Sequence, residues 1–248
     1  MDVVTTIQGE GINIGKPVIL VRLNGCNLCC PFCDTKDHIK HYKFKLQNII
    51  DPIIAESKKY PYINKLLITG GEPLCEDNID SLKDVLYFFN GSKIINKFEI
   101  ETNGTCLYNI EKVLNSVRQN YNKLQFNISP KMYSESYPKN IKNFDINEKE
   151  IIYNYYNQFK NYIHNTHINY YVKFIYEPKR NHINNLIYEY IYQLNIPKER
   201  VLIMPFTPDK KDKDFMEKFE LNCKEAIQFC QNNGFRYSPR EQVYLNIK

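Results

Sequence analysis

Four of the chain's eight cysteines fall in one stretch, CNLCCPFC from Cys26 to Cys33, directly after the apolar run Val18–Leu23. Thiols this dense are metal ligands sooner than disulfide partners, because nothing in the sequence marks the chain for secretion. Two registers are open. Cys26, Cys30 and Cys33 form a C-x3-C-x2-C triad with Cys29 outside it, or all four form two abutting C-x2-C pairs around a tetrahedral zinc. Zinc pairs are normally separated by roughly a dozen residues so that the ligands converge from different directions, and here nothing separates them. Three thiolates on an iron–sulfur cube leave one iron without a protein ligand, free to chelate a small molecule, much as a catalytic zinc keeps one position open.

Such a loop needs a scaffold, and the rest of the sequence supplies one. Apolar, β-branched runs recur at Val18–Leu23, Lys65–Thr69, Lys97–Glu101, Lys123–Ile128, Asn169–Tyr176 and Arg200–Pro205. Between them lie segments of helical periodicity at Leu46–Lys58, Ile79–Asn90, Ile110–Gln119, Asn181–Gln193 and Asp214–Asn232. Alternation of this kind predicts right-handed β-α-β units and a parallel sheet. Six units fall short of the eight that close a full barrel, so the expected fold is α/β, a partial (β/α)6 barrel with an open-sided parallel sheet, and residues 1–248 are expected to form a single domain.

In parallel α/β architectures the site lies beyond the C-terminal ends of the strands, and the unusual motifs sit there. TGGEP, Thr69 to Pro73, carries two glycines that let backbone approach closely without an intervening side chain. ETNGT (Glu101–Thr105) and SPK (Ser129–Lys131) place short polar groups at strand ends, where they suit a ribose or carboxylate; each alone reads as turn chemistry sooner than as a site, and their value lies in their shared position at one face. TIQGEG, Thr6 to Gly11, precedes the first strand and can fold over the open mouth, with Gln8 offering a donor and an acceptor to a heterocycle edge. Arg22 is a charge inside an apolar run, which reads either as a salt bridge or as a guanidinium held for a carboxylate substrate.

Composition narrows the class. At 43% hydrophobic and 25% charged residues the chain is neither disordered nor a membrane protein, and no apolar run approaches the ~20 residues of a membrane helix. MDVVTTIQGEG has an acid at position 2 and no basic flank before an apolar stretch, so it does not read as a signal peptide, and a cytoplasmic location is expected. The net charge of +5 comes from scattered lysines rather than a basic stripe, which argues against nucleic acid as a partner.

With Phe32 before its last cysteine, the triad resembles that of the radical S-adenosylmethionine superfamily. The order TIQGEG, VRLNGCNLCCPFCDT, TGGEP, ETNGT, SPK and terminal YLNIK resembles one family within it over almost the whole chain, the 7-carboxy-7-deazaguanine synthases of the 7-deazapurine (queuosine) route. The resemblance implies a [4Fe–4S] cluster on Cys26, Cys30 and Cys33, and Mg2+ on the Thr35 hydroxyl. It implies S-adenosylmethionine held by Phe32, Cys33, Asp34, Gly71, Ser129, Pro130, Lys131, Met204, Pro205, Phe206 and Thr207. Substrate contacts would fall on Ile7, Gln8, Gly9, Arg22, Thr69 and the terminal carboxylate of Lys248. The implied reaction is ring contraction of 6-carboxy-5,6,7,8-tetrahydropterin to 7-carboxy-7-deazaguanine with loss of ammonia. It starts when a 5′-deoxyadenosyl radical takes hydrogen from C6, and no side chain is assigned as a catalytic acid or base. An electron donor such as a flavodoxin or ferredoxin and a homodimer are further implications. Cys29 stands where the family usually has no cysteine, and Gln242 where many members carry a histidine. A glycyl-radical activase shares the triad but needs no QGEG segment, and a zinc-binding structural module remains the alternative from another class.

Overall fold

The computed structural model describes residues 1–35, 45–117, 120–137, 148–163 and 168–247. Its centre is an eight-stranded sheet in simple chain order: β1 (Asp2–Ile7), β2 (Pro17–Leu23), β3 (Lys65–Gly70), β4 (Lys97–Thr102), β5 (Leu124–Ile128), β6 (Asn169–Tyr176), β7 (Val201–Pro205) and β8 (Arg236–Tyr237). From β2 onward every neighbouring pair is parallel, and β1 is added antiparallel to β2. The two end strands do not pair with each other, so the sheet stays open. All six expected strands are present. The six expected β/α units stand as β2 to β7 with their helices, and the sheet carries two further strands, β1, an edge strand of mostly half-buried residues, and the two-residue β8.

Helices α1 (Leu46–Lys59), α2 (Glu76–Phe89), α3 (Ile110–Ser116), α4 (Glu148–Tyr162), α5 (Asn181–Gln193) and α6 (Phe215–Asn233) follow β2 to β7 in turn, and a short α7 (Glu241–Tyr244) ends the described chain. α2 starts immediately after the GGE turn, with Glu76 and Asp77 in its first turn, where carboxylates complement the helix dipole. α6 stops at Gly234, whose φ of 72° is the left-handed conformation that glycine adopts without strain. No helix among the described residues is long and apolar enough to cross a membrane.

Side chains alternate across a strand, and here the two faces differ in kind. Toward the helices point Ile19, Val21 and Leu23 of β2, Phe98 and Ile100 of β4, Leu124, Phe126 and Ile128 of β5, and Val172 and Phe174 of β6, all within one large apolar core. The alternate positions face the concave side. There Val18, Leu20 and Leu67 form a small separate apolar cluster with Val4, but Glu99, Glu101, Gln125, Asn127 and Lys173 occupy the middle of the sheet. Parallel strands with both faces covered are usually apolar throughout, so this polar interior marks where the molecule departs from packing alone.

Candidate active site

The cysteine loop leaves β2 and is clamped against the end of β3 by backbone. Gly71 N–H donates to Leu23 O at 3.0 Å and Glu72 N–H to Gly25 O at 2.8 Å. A Cβ on Gly70 would lie 2.0 Å from Leu23 O, and one on Gly71 would lie 1.7 Å from Gly25 O. The two glycines are therefore required by the approach of the cysteine loop itself. Glu72 is fully buried and accepts from Leu74 N–H at 3.0 Å, the Thr102 hydroxyl at 2.5 Å and Asn103 N–H at 2.6 Å, so it ties the end of β3 to the ETNGT turn. Asn103 in turn donates to Asn27 Oδ1 at 3.0 Å, and Asn27 to the Thr105 hydroxyl at 2.7 Å, which bind that turn back to the cysteine loop. The polar groups of ETNGT are thus largely consumed in building the site.

A cavity opens over this loop. Cys26, Cys30 and Cys33 line it, whereas Cys29 is exposed and outside it. Burial pushes the Cys26 thiol up to about 12, with Glu72, Cys30 and Cys33 adding to the rise, and burial raises Cys30 as well. Among the described residues no three His, Cys, Asp or Glu side chains gather as a single ion requires. The placement of Cys26, Cys30 and Cys33 on one cavity, with Cys29 outside it, matches the three-cysteine register rather than the four-cysteine one.

Phe32, Cys33, Asp34, Gly71, Ser129, Lys131, Met204, Phe206 and Thr207 line the same cavity, while Pro130 and Pro205 are buried next to them in the chain. The Phe32 ring packs on Tyr133 at 4.7 Å and on Phe206 at 6.1 Å, joining the cysteine loop to the ends of β5 and β7. Lys131 donates from Nζ to Ser129 Oγ at 3.0 Å, and its backbone N–H donates to the Tyr155 hydroxyl at 2.9 Å, which fixes the SPK turn.

A second chamber adjoins the first and shares Glu10, Asp34, Thr35, Thr69, Glu101 and Arg240 with it. Ile7, Gln8, Gly9 and Arg22 line this second space. The Arg22 guanidinium has no hydrogen-bond or ion-pair partner among the described residues, so the salt-bridge alternative finds no support there. Gln8 is already engaged throughout: its side chain donates from Nε2 to Glu99 at 2.8 Å and Glu101 at 3.3 Å, its backbone N–H donates to Lys16 O at 2.8 Å and its carbonyl accepts from Gly15 N–H at 2.8 Å, so the residue builds the wall and does not offer a free amide to a heterocycle. Thr35 sits where the chambers meet, its hydroxyl 3.5 Å from Cys33 Sγ. Lys248 lies outside the described residues.

The floor is a charged network of which the sequence motifs contained Glu10 and Glu101 but not Glu99 or Lys173. Glu99 accepts from Asn13 at 2.9 Å and Asn127 at 2.6 Å and pairs with Lys65. The Lys173 ammonium lies 3.0 Å from Glu10 and 2.9 Å from Glu101. Burial works against ionising Glu10, but Lys173 and Arg240 hold its carboxyl at about 2, and the two carboxylates raise Lys173 above its ordinary value despite burial. The signal that could have found Glu99 and Lys173 is the one that singled out Arg22, a charge alternating with apolar residues inside a strand.

The family model of the radical SAM superfamily matches residues 20–176. A 7-carboxy-7-deazaguanine synthase of Rickettsia prowazekii is 34% identical over 160 residues, 57% of this chain and 62% of that protein, so the match spans less than two thirds of its length. A protein of the same name from Hyperthermus butylicus is 28% identical over 255 residues, covering 100% of this chain and 92% of its own length. The crystal structure of QueE from Escherichia coli superposes with a TM-score of 0.54 at 20% identity, covering 96% of this chain and 91% of that one, which supports the open-sided fold.

Proposed function

The chain belongs to the radical SAM superfamily, and from that premise we propose that it is a 7-carboxy-7-deazaguanine synthase, converting 6-carboxy-5,6,7,8-tetrahydropterin to 7-carboxy-7-deazaguanine with release of ammonia. The observation that carries this reading is the pair of joined chambers, one lined by the cysteine triad and the other by Arg22, whose guanidinium has no partner among the described residues. When bound, the cluster and S-adenosylmethionine would supply the one-electron chemistry that abstracts hydrogen from the substrate, and the protein's part is to bind, orient and shield.

In this reading Cys26, Cys30 and Cys33 hold the cluster, and Phe32 to Asp34, Gly71, Ser129 to Lys131 and Met204 to Thr207 enclose S-adenosylmethionine. Ile7 to Gly9, Arg22 and Thr69 meet the pterin, with Arg22 making a bidentate contact to its carboxylate. The Thr35 hydroxyl, at the junction of the chambers, supplies an oxygen ligand to Mg2+. We further propose a cytoplasmic single-domain protein that works as a homodimer with a flavodoxin- or ferredoxin-like donor.

The test is anaerobic incubation of cluster-loaded protein with reductant, S-adenosylmethionine and the carboxypterin, read by absorbance and mass. Appearance of the deazapurine and ammonia is expected. Protein that cleaves S-adenosylmethionine yet leaves the carboxypterin unchanged would overturn the substrate while leaving superfamily membership intact.

A further inference from the structure

Arg240 occupies a position that none of the motifs points to. It lies between β8 and α7, its side chain only 11% exposed, and it lines both chambers. Nη2 donates to Asp34 Oδ2 at 2.7 Å, in the residue after the third triad cysteine, and Nη1 donates to the Thr207 hydroxyl just beyond β7. On its other side Nε lies 3.7 Å from Glu10 Oε2, and both atoms are buried without a hydrogen bond. Glu10 continues through Lys173 to Glu101, so a single chain of charges runs from the cysteine loop across the partition to the concave face.

The backbone around Arg240 is held independently of its guanidinium. Ser238 N–H donates to Ile203 O at 2.8 Å, the buried Ser238 hydroxyl accepts from Gly11 N–H at 2.8 Å, and Glu241 N–H donates to Gly9 O at 2.8 Å. The Tyr244 hydroxyl contacts Cys223 Sγ at 3.1 Å and docks α7 on α6. Loss of the guanidinium therefore leaves the segment seated and removes the link between the two walls.

We propose that Arg240 is a positioning residue that couples the two chambers, bracing Asp34 and Thr207 as walls of the S-adenosylmethionine cavity and holding Glu10 in register for the second ligand. The proposal rests on the functional reading above for the identity of the second ligand only. Closing the 3.7 Å gap to Glu10 when the second chamber fills would stiffen the Asp34 contact, so each ligand would lower the ordering cost of the other.

The test uses full-length, anaerobically cluster-loaded protein with iron and sulfide verified, as wild type, Arg240→Gln, Asp34→Asn and the double variant. S-adenosylmethionine affinity is measured by equilibrium dialysis, with and without the carboxypterin. Each single change should weaken S-adenosylmethionine binding about tenfold at unchanged iron content, the double variant should be no weaker than either single, and any tightening by the pterin should vanish in Arg240→Gln. Additive losses in the double variant, or unchanged affinity in Arg240→Gln, would overturn the proposal, and so would equal tightening by pterin in wild type and Arg240→Gln. Should the pterin fail to bind wild type at all, the functional reading fails, while the double-mutant cycle still decides Arg240 without it.

Discussion

The cysteine-lined chamber and its boundary with the second chamber are held together by different means. The first is set largely by main chain: Gly70 and Gly71 admit the loop, backbone hydrogen bonds fasten it, and Glu72 knots the adjoining turns by accepting from the backbone N–H groups of Leu74 and Asn103. The boundary it shares with the second is assembled from side chains far apart in the chain, Glu10 from the N-terminal loop, Glu101 and Lys173 from the sheet, and Arg240 from near the C-terminus, joined by ion pairs. A wall made of backbone is sensitive to a Cβ and indifferent to charge. A wall made of buried charges is the reverse, because an ion left without its partner in a dry interior is costly.

Breaking that contrast begins with the triad. Replacing Cys26, Cys30 or Cys33 with Ala should eliminate bound iron, while Cys29→Ala should retain it in full. Iron and sulfide analysis decides, and equal loss in Cys29→Ala would restore the four-cysteine register. Lys173→Met comes next, since it strands Glu10 and Glu101 together. An unfolding free energy lower by about 3–5 kcal/mol is expected in denaturant titration, against no change if the network is well solvated.

Gly71→Ala drives a methyl into Gly25 O and should cost about 3 kcal/mol or more. It should also depress cluster loading, which separates it from Lys173→Met, whose iron content should stay normal once the protein is folded. The smallest effect sharpens the contrast within the second chamber. Arg22→Lys should weaken carboxypterin binding by ~1–3 kcal/mol with S-adenosylmethionine binding unmoved. Equal weakening of both ligands would place Arg22 in the shared wall.

The same division governs what could be read in advance. The inner strands are apolar runs, and the cysteine loop and GGE turn are contiguous motifs, so local sequence carried them. β1 escaped because DVVTTI, an edge strand packed from one side, lacks a clean alternation, and β8 because two residues make no pattern. α4 has its buried stripe at Ile151, Ile152, Tyr155 and Phe159, but tyrosines and asparagines around it blur the apolar period. Glu99, Glu101 and Lys173 were visible as charges within strands, though only the fold reveals that their face is concave. Arg240 had no local signal at all, since the Asp34 it grips is 206 positions away.

The central claim is that the first chamber generates a radical that acts on a ligand held in the second. Its most direct test is mass spectrometry of 5′-deoxyadenosine formed during anaerobic turnover with carboxypterin deuterated at C6. Deuterium in the recovered 5′-deoxyadenosine is the expected result, because the hydrogen crosses from one chamber to the other. Unlabelled 5′-deoxyadenosine, formed at the same rate with and without the pterin, would contradict the account.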